Sequence, residues 1–95
     1  MPAYLILQIA IGDADRWRKY RDAVLPLIAK FGGRQLVRGG AVEVLEGHHG
    51  GQPIAMFEFP SMNSLHAFWN SPEYVPVKEL RHGAAVLDVW AVPGA

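Results

Sequence analysis

Two segments near the ends of the chain, AYLILQIAI (3–11) and AAVLDVWAV (84–92), hold one polar residue each, Gln8 and Asp88. Both are rich in β-branched and aliphatic residues, and a nearly continuous apolar run of this length reads as a strand covered on both faces. The rest of a 95-residue chain has to supply those covers. One domain of this size buries roughly 60–65% of its unfolded surface, a modest core. Hydrophobic residues make up 51% of the chain and charged residues 19%. Surplus apolar residues in so small a domain are often used at a subunit interface.

Between these strands the period changes. In GDADRWRKYRDAVLPLIAKFGG, Trp17, Tyr20, Val24, Leu27 and Phe31 fall at helical spacing, and the charged residues lie mostly off that stripe. Asp13 suits the N-cap, Asp15 the positive end of the dipole, and Gly32 the left-handed position after the last turn. Pro26 lacks a backbone donor and is expected to kink the helix or split it near Leu25. RQLVR (34–38) is strand-like, Gly39-Gly40 permits a bulge or tight turn, and AVEVLEG (41–47) resumes the alternation. HHGGQ reads as a loop, and PIAMFEFP (53–60) as a strand containing Glu58. Ser61 can cap a helix over MNSLHAFW. SPEY then restarts a helical piece, with Ser71 at the cap and Pro72 at the first position, which Pro76 limits.

The order is β-α-β-β-α-β in a single domain spanning 1–95: an α+β, ferredoxin-like antiparallel sheet with two helices on one face. Leu5, Leu7, Ile9, Ala55, Phe57 and Phe59 are assigned to the helix side, with Ala85, Leu87 and Val89 from the last strand. Tyr4, Ile6, Met56, Val86 and Trp90 then occupy the other face beside Gln8, Glu58 and Asp88. That face has too few polar residues for water, so a second copy is expected to pack on it as a homodimer.

Nine basic residues balance nine acidic ones. A zero balance gives no long-range attraction for nucleic acid or an anionic membrane surface. Cysteine is absent, which removes disulfides, thiol catalysis and thiolate-bound metals. The N-terminal apolar run is too short to span a bilayer and has no signal-peptide pattern, so a cytoplasmic location is expected.

MPAYLI, IAKFGGRQLVRGGAVEVLEG, FEFPSM, SPEY and the later Leu80-Arg81 together resemble the domain-of-unknown-function family thirteen-thirty, in the dimeric α+β barrel superfamily. The resemblance covers essentially the whole chain. It implies a ferredoxin-like subunit and a barrel formed by the sheets of two subunits, with no reaction assigned to the family. The superfamily includes cofactor-independent monooxygenases, haem-dependent enzymes, small-molecule isomerases and binding modules, and fold does not select among them. Relatives tend to continue a helix toward Leu80-Arg81, so Pro76 is a departure that bears on where Arg81 sits.

Arg34 and Arg38 lie four apart on a regular strand. Alternation puts them on the same side, about 13 Å apart, too far for one small carboxylate. Each either pairs with an acidic residue or, in the case of Arg38, holds an anionic ligand. Glu58 and Asp88, inside apolar strands, need a cationic partner or will hold a proton. If they share a face with Arg38, the three can form a buried charged network across the dimer. Glu58, Arg38 and His82 are the catalytic candidates, for proton transfer or anion binding.

Tyr20, Trp69 and Tyr74 are candidate walls of a ligand pocket between helices and sheet, the place where superfamily pockets tend to lie, with Arg81 as a further ligand-binding candidate. Plain core packing is the simpler account of the three aromatics. His48 and His49 have no carboxylate at ligand spacing, and His66 falls on the exposed side of its helix, so neither a metal nor another cofactor is expected. GGRQLVRGG lacks the Lys-Ser/Thr of a phosphate loop. Three functions follow: a small metal-free enzyme acting on a small organic molecule, a non-catalytic ligand-binding or stress-related module, and a structural dimer in which every charge is paired.

Overall fold

A computed structural model describes all 95 residues. Its elements are β1 (Ala3–Ile11), α1 (Ala14–Lys30), β2 (Arg34–Gly40), β3 (Ile54–Phe59), α2 (Met62–Trp69), α3 (Tyr74–Glu79) and β4 (Ala85–Pro93). The four strands form one sheet in the order β2-β3-β1-β4, and every neighbouring pair is antiparallel. This is the expected ferredoxin-like arrangement, with its second helix divided into α2 and α3. No helix is long and apolar enough to cross a membrane.

The expected division of the sheet holds. Leu5, Leu7, Ile9, Ala55, Phe57 and Phe59 are all buried, and Ala85, Leu87 and Val89 pack partly buried against the same core. From the helices Tyr20, Val24, Ile28, Leu65 and Phe68 complete that core. Each such side chain contributes roughly 1.5–3 kcal/mol when fully buried. Across the other face the pairing forms three rows: Glu58–Tyr4–Val92, Met56–Ile6–Trp90 and Ile54–Gln8–Asp88. No helix covers these rows, and from the loop before β3 the Gln52 side chain accepts a hydrogen bond from Gln8 Nε2 at 3.3 Å. Val86 is 73% exposed and Trp90 47%.

Local chemistry accounts for the helix ends. The Asp13 side chain accepts a hydrogen bond from the Arg16 N–H at 3.1 Å, and Ser61 Oγ accepts one from the Ser64 N–H at 3.1 Å. α1 ends in a Schellman turn, in which the Gly33 N–H donates to the Ile28 carbonyl and the Gly32 N–H to the Ala29 carbonyl, both at 3.0 Å. Gly32 has φ +84°, and a Cβ on Gly33 would fall 2.5 Å from Ile28 Cγ2. Both glycines of the first pair are therefore required, one by conformation and one by packing.

Four expectations are corrected. Pro26 does not split α1, which runs unbroken from Ala14 to Lys30. Pro26 is exposed, so the carbonyl it leaves unpaired one turn earlier is open to water. Pro76 does not end α3 but occupies its first turn, where a missing N–H costs no helical bond. Ser71 acts as expected, its Oγ accepting from the Tyr74 N–H at 3.2 Å.

The third correction concerns AVEVLEG, which is not a strand. The ladder between β2 and β3 closes with Gly40 opposite Ile54, and beyond it the chain has no strand left to pair with. Leu45 is consequently 89% exposed.

The fourth concerns the two arginines. Arg34 pairs with Glu58 and Gln35 with Phe57, but Val37 pairs with Met56, leaving Leu36 as an extra residue. This bulge reverses the alternation. Directly opposed residues share a face, so Arg34 stands with Glu58 on the open face, whereas Arg38, opposite Ala55, stands on the helix face. A second register shift at Gly39, with φ +74°, is the bulge expected of the second glycine pair.

Candidate functional site

On the helix face lies a partly open cavity of about 330 Å³, bounded by α1, α2, the start of α3 and the strands β1–β3. Its volume is at the lower end of the roughly 300–1,000 Å³ usual for small-molecule sites. An aromatic cluster forms one wall. The rings of Trp17 and Tyr20 lie 5.1 Å apart, Phe68 and Tyr74 4.7 Å, and Trp69 and Tyr74 5.4 Å. The Tyr20 and Tyr74 hydroxyls are buried and hydrogen-bonded to each other at 2.9 Å. Burial, then the neighbouring Tyr74 and its hydrogen bond, raise the Tyr20 phenol well above the ordinary tyrosine range, against a smaller opposing pull from Arg81. Tyr20 stays protonated and neutral throughout the physiological range.

The cavity's polar side chains are Gln35 and Arg38 from β2, Arg18 and Arg21 from α1, and the two tyrosines. No Asp, Glu, His, Lys, Ser or Thr contributes to its lining. Arg18 and Arg21 have exposed acidic neighbours, Asp15 at 3.5 Å and Asp22 at 3.7 Å. Arg38 has neither an ion pair nor a side-chain hydrogen bond within the chain.

Of the seven residues singled out from sequence, four meet here: Arg38, Tyr20, Trp69 and Tyr74. The other three do not line the cavity. Glu58 is on the opposite face of the sheet and takes a hydrogen bond from Arg34 Nε at 2.8 Å. His82 is exposed beyond α3, with Nδ1 3.6 Å from Glu79. Its carbonyl accepts from Arg16 at 2.7 Å. Arg81 lays its guanidinium 5.8 Å from the Tyr20 ring centre.

The network of Glu58, Asp88 and Arg38 does not form. Glu58 and Asp88 occupy opposite corners of the open face, and Arg38 is on the other side. His48 and His49 are joined by no set of further His, Asp or Glu side chains able to hold a metal ion.

Sequence reasoning missed Trp17, Arg18, Arg21 and Gln35 as cavity residues. Arg21 follows Trp17 by four residues and so shares its helical face, a signal present in the sequence. Gln35 shares a face with Arg38 only because of the bulge at Leu36, and a period-2 count separates the two.

The family model described as a domain of unknown function (DUF1330) matches residues 2–95. The chain belongs to this family. Its fold is that of RPA0582 from Rhodopseudomonas palustris, a protein of unknown function. That structure superposes with a TM-score of 0.74 at 17% identity, over 99% of this chain and 82% of the other. SnoaB from Streptomyces nogalater, a cofactor-independent oxygenase, gives a TM-score of 0.65 at 8% identity, over 99% and 93%. A dimeric protein of unknown function and ferredoxin-like fold from Bacteroides fragilis gives 0.63 at 13% identity, over 98% and 96%. No curated protein matches the chain.

Proposed function

We propose that this DUF1330 protein is a homodimer whose subunits each bind a small organic molecule between the helices and the sheet. The observation that carries the reading is the cavity itself, with aromatic and aliphatic walls and few polar groups. The dimer reading rests on the uncovered row Met56–Ile6–Trp90, and like folds include a protein described as dimeric. Binding without turnover fits the lining better than acid/base catalysis. No carboxylate or imidazole faces the cavity, and the Tyr20 phenol is held too firmly to give up its proton near neutral pH.

A catalytic version is favoured by the likeness to SnoaB, a cofactor-independent oxygenase. In this chain it would rest on Arg38 and the Tyr20–Tyr74 pair, with the ligand supplying its own reactive centre. Glu58, paired with Arg34 on the opposite face, and the exposed His82 lie outside the lining of this cavity.

A thermal-shift screen of aromatic acids, their amides and lactones, followed by a turnover assay on each hit, separates these readings. Stabilisation without product supports a binding module, and product formation supports the enzyme. The absence of any stabilising compound would count against both.

A further inference from the structure

We infer that the ligand is an apolar organic acid, its carboxylate held by Arg38 at the β2 side of the cavity and its hydrocarbon body against the aromatic wall. This rests on the ligand-binding reading above and names the ligand's chemistry.

Three guanidinium groups, Arg18, Arg21 and Arg38, border one cavity that no carboxylate lines. Arg18 and Arg21 have side chains 60% and 52% exposed and each has an acidic neighbour, so their pull on an anion is screened and only Arg38 is wholly without a counter-charge. The acidic neighbours of Arg18 and Arg21 lie on α1 itself, at long distances and in exposed positions where ion pairs contribute little.

Arg38 differs from them. Nothing acidic in the chain reaches it, although β2 provides a close comparison four residues earlier. Arg34 on the open face has found Glu58 at 2.8 Å. The bulge at Leu36 is what turns Arg38 away from that partner and toward the cavity.

A planar guanidinium binds a carboxylate through two parallel hydrogen bonds. Gln35, on the same face one bulge away, gives one amide N–H to the Val37 carbonyl at 3.3 Å and has a second to offer a ligand. Beyond these groups the cavity is walled by Trp17, Phe57, Phe68 and Trp69, which leave an anion's hydrocarbon part as the portion that fits. Arg38 is exposed at the rim and solvated by water, so a neutral ligand forgoes its hydrogen bonds without stranding a charge, and a small inorganic anion would leave the apolar walls uncovered.

Isothermal titration calorimetry with matched pairs tests this: 2-naphthoate and 2-naphthamide, cinnamate and cinnamamide, octanoate and octanamide. At least one acid is expected to bind tenfold or more tightly than its amide, with an affinity that falls as salt rises. Arg38→Gln should bring the two within about twofold. Arg38→Lys should keep part of the preference, because it restores charge without the fork. Arg34→Gln, on the other face, should leave it unchanged.

If amides bind as well as acids, the anion assignment is overturned while the pocket reading stands. If Arg38→Gln retains its fold by circular dichroism and still prefers the acid tenfold, the assignment to Arg38 fails. If none of the six compounds binds, the pocket reading fails and this inference with it. The acid–amide ratio and its salt dependence in the unmodified protein decide whether the ligand is an anion even if Arg38→Gln does not fold, and Arg38→Lys then tests the residue.

Discussion

The two faces of the sheet are built from the same strands, in an alternation broken only by the bulges of β2, yet they solve different problems. On the helix face Leu5, Leu7 and Phe57 are buried by the chain's own α1 and α2, and what remains is a cavity with one unpaired cation, Arg38, at its border. On the open face the central row Met56–Ile6–Trp90 is as apolar as a core and is left uncovered, while the charged Glu58 is already paired with Arg34. Apolar surface without a cover asks for another protein surface, whereas charge without a partner beside an apolar cavity asks for a ligand. The lone acidic partner available to β2 sits on the face predicted to meet a second subunit. The arginine without a partner sits on the face that can admit a small molecule.

The largest expected effect lies on the covered face. Phe59 is fully buried and stacks with Phe68 at 5.7 Å between ring centres. Phe59→Ala should cost about 3–5 kcal/mol, a large share of the total for a domain of this size. Urea denaturation followed by circular dichroism measures it. A loss below about 1 kcal/mol would mean that this face is not the core.

Trp90→Asp tests the open face. It introduces a charge into the centre of the uncovered row and should lower association by about 2 kcal/mol or more, turning a micromolar dimer into a monomer by sedimentation. The subunit fold should survive, since Trp90 touches none of the helices' core. A wild-type protein that sediments as a monomer would break the contrast between the faces.

Tyr20→Phe should be milder, about 1–2 kcal/mol, because it leaves the buried Tyr74 hydroxyl without its partner. It also has a pH signature. The folded state holds the Tyr20 proton more tightly than the unfolded chain does. The associated stability is therefore intact below about pH 10, the ordinary tyrosine value, and is lost as pH rises above it. Thermal unfolding in alkaline buffers should show a shallower decline for the variant than for the parent.

Glu58→Gln completes the series. Its partner Arg34 has a side chain 71% exposed, so the pair should contribute less than about 1 kcal/mol to the isolated subunit. Ligand affinity should not change, because Glu58 is on the face away from the cavity. A tenfold loss of binding would mean that the two faces communicate.

Much of the fold was legible because short-range signals carried it. The alternation in β1 and β3 assigned Leu5, Leu7, Ile9, Ala55, Phe57 and Phe59 to their correct side, and Asp13, Ser61 and Gly32 mark helix ends through local hydrogen bonds and backbone conformation. The misreadings arose where a local rule met its surroundings. Pro26 is tolerated because its side of α1 faces water, and AVEVLEG has strand-like residues but no neighbouring strand within the chain.

The cavity was half legible. Tyr20 and Trp69 stand on inward helix faces and Tyr74 begins the segment after the second helix, and the family resemblance implies a pocket between helices and sheet that these three could line. Glu58 was chosen because a charge in an apolar strand looks costly. The cost disappears once Arg34 is seen directly opposite it, a pairing that depends on the register between β2 and β3.

The residue pattern alone determined the ferredoxin-like order, the covered and uncovered faces of the sheet, and the membership in a family that spans the chain, because period and turn chemistry are properties of neighbouring residues. The facing of Arg38 belonged to the tertiary structure. A single extra residue, Leu36, inverts the alternation of β2, and a bulge is set by how two strands far apart in sequence pair. That one-residue offset separates GGRQLVRGG into an arginine that closes an ion pair on one side of the sheet and an arginine left open on the other.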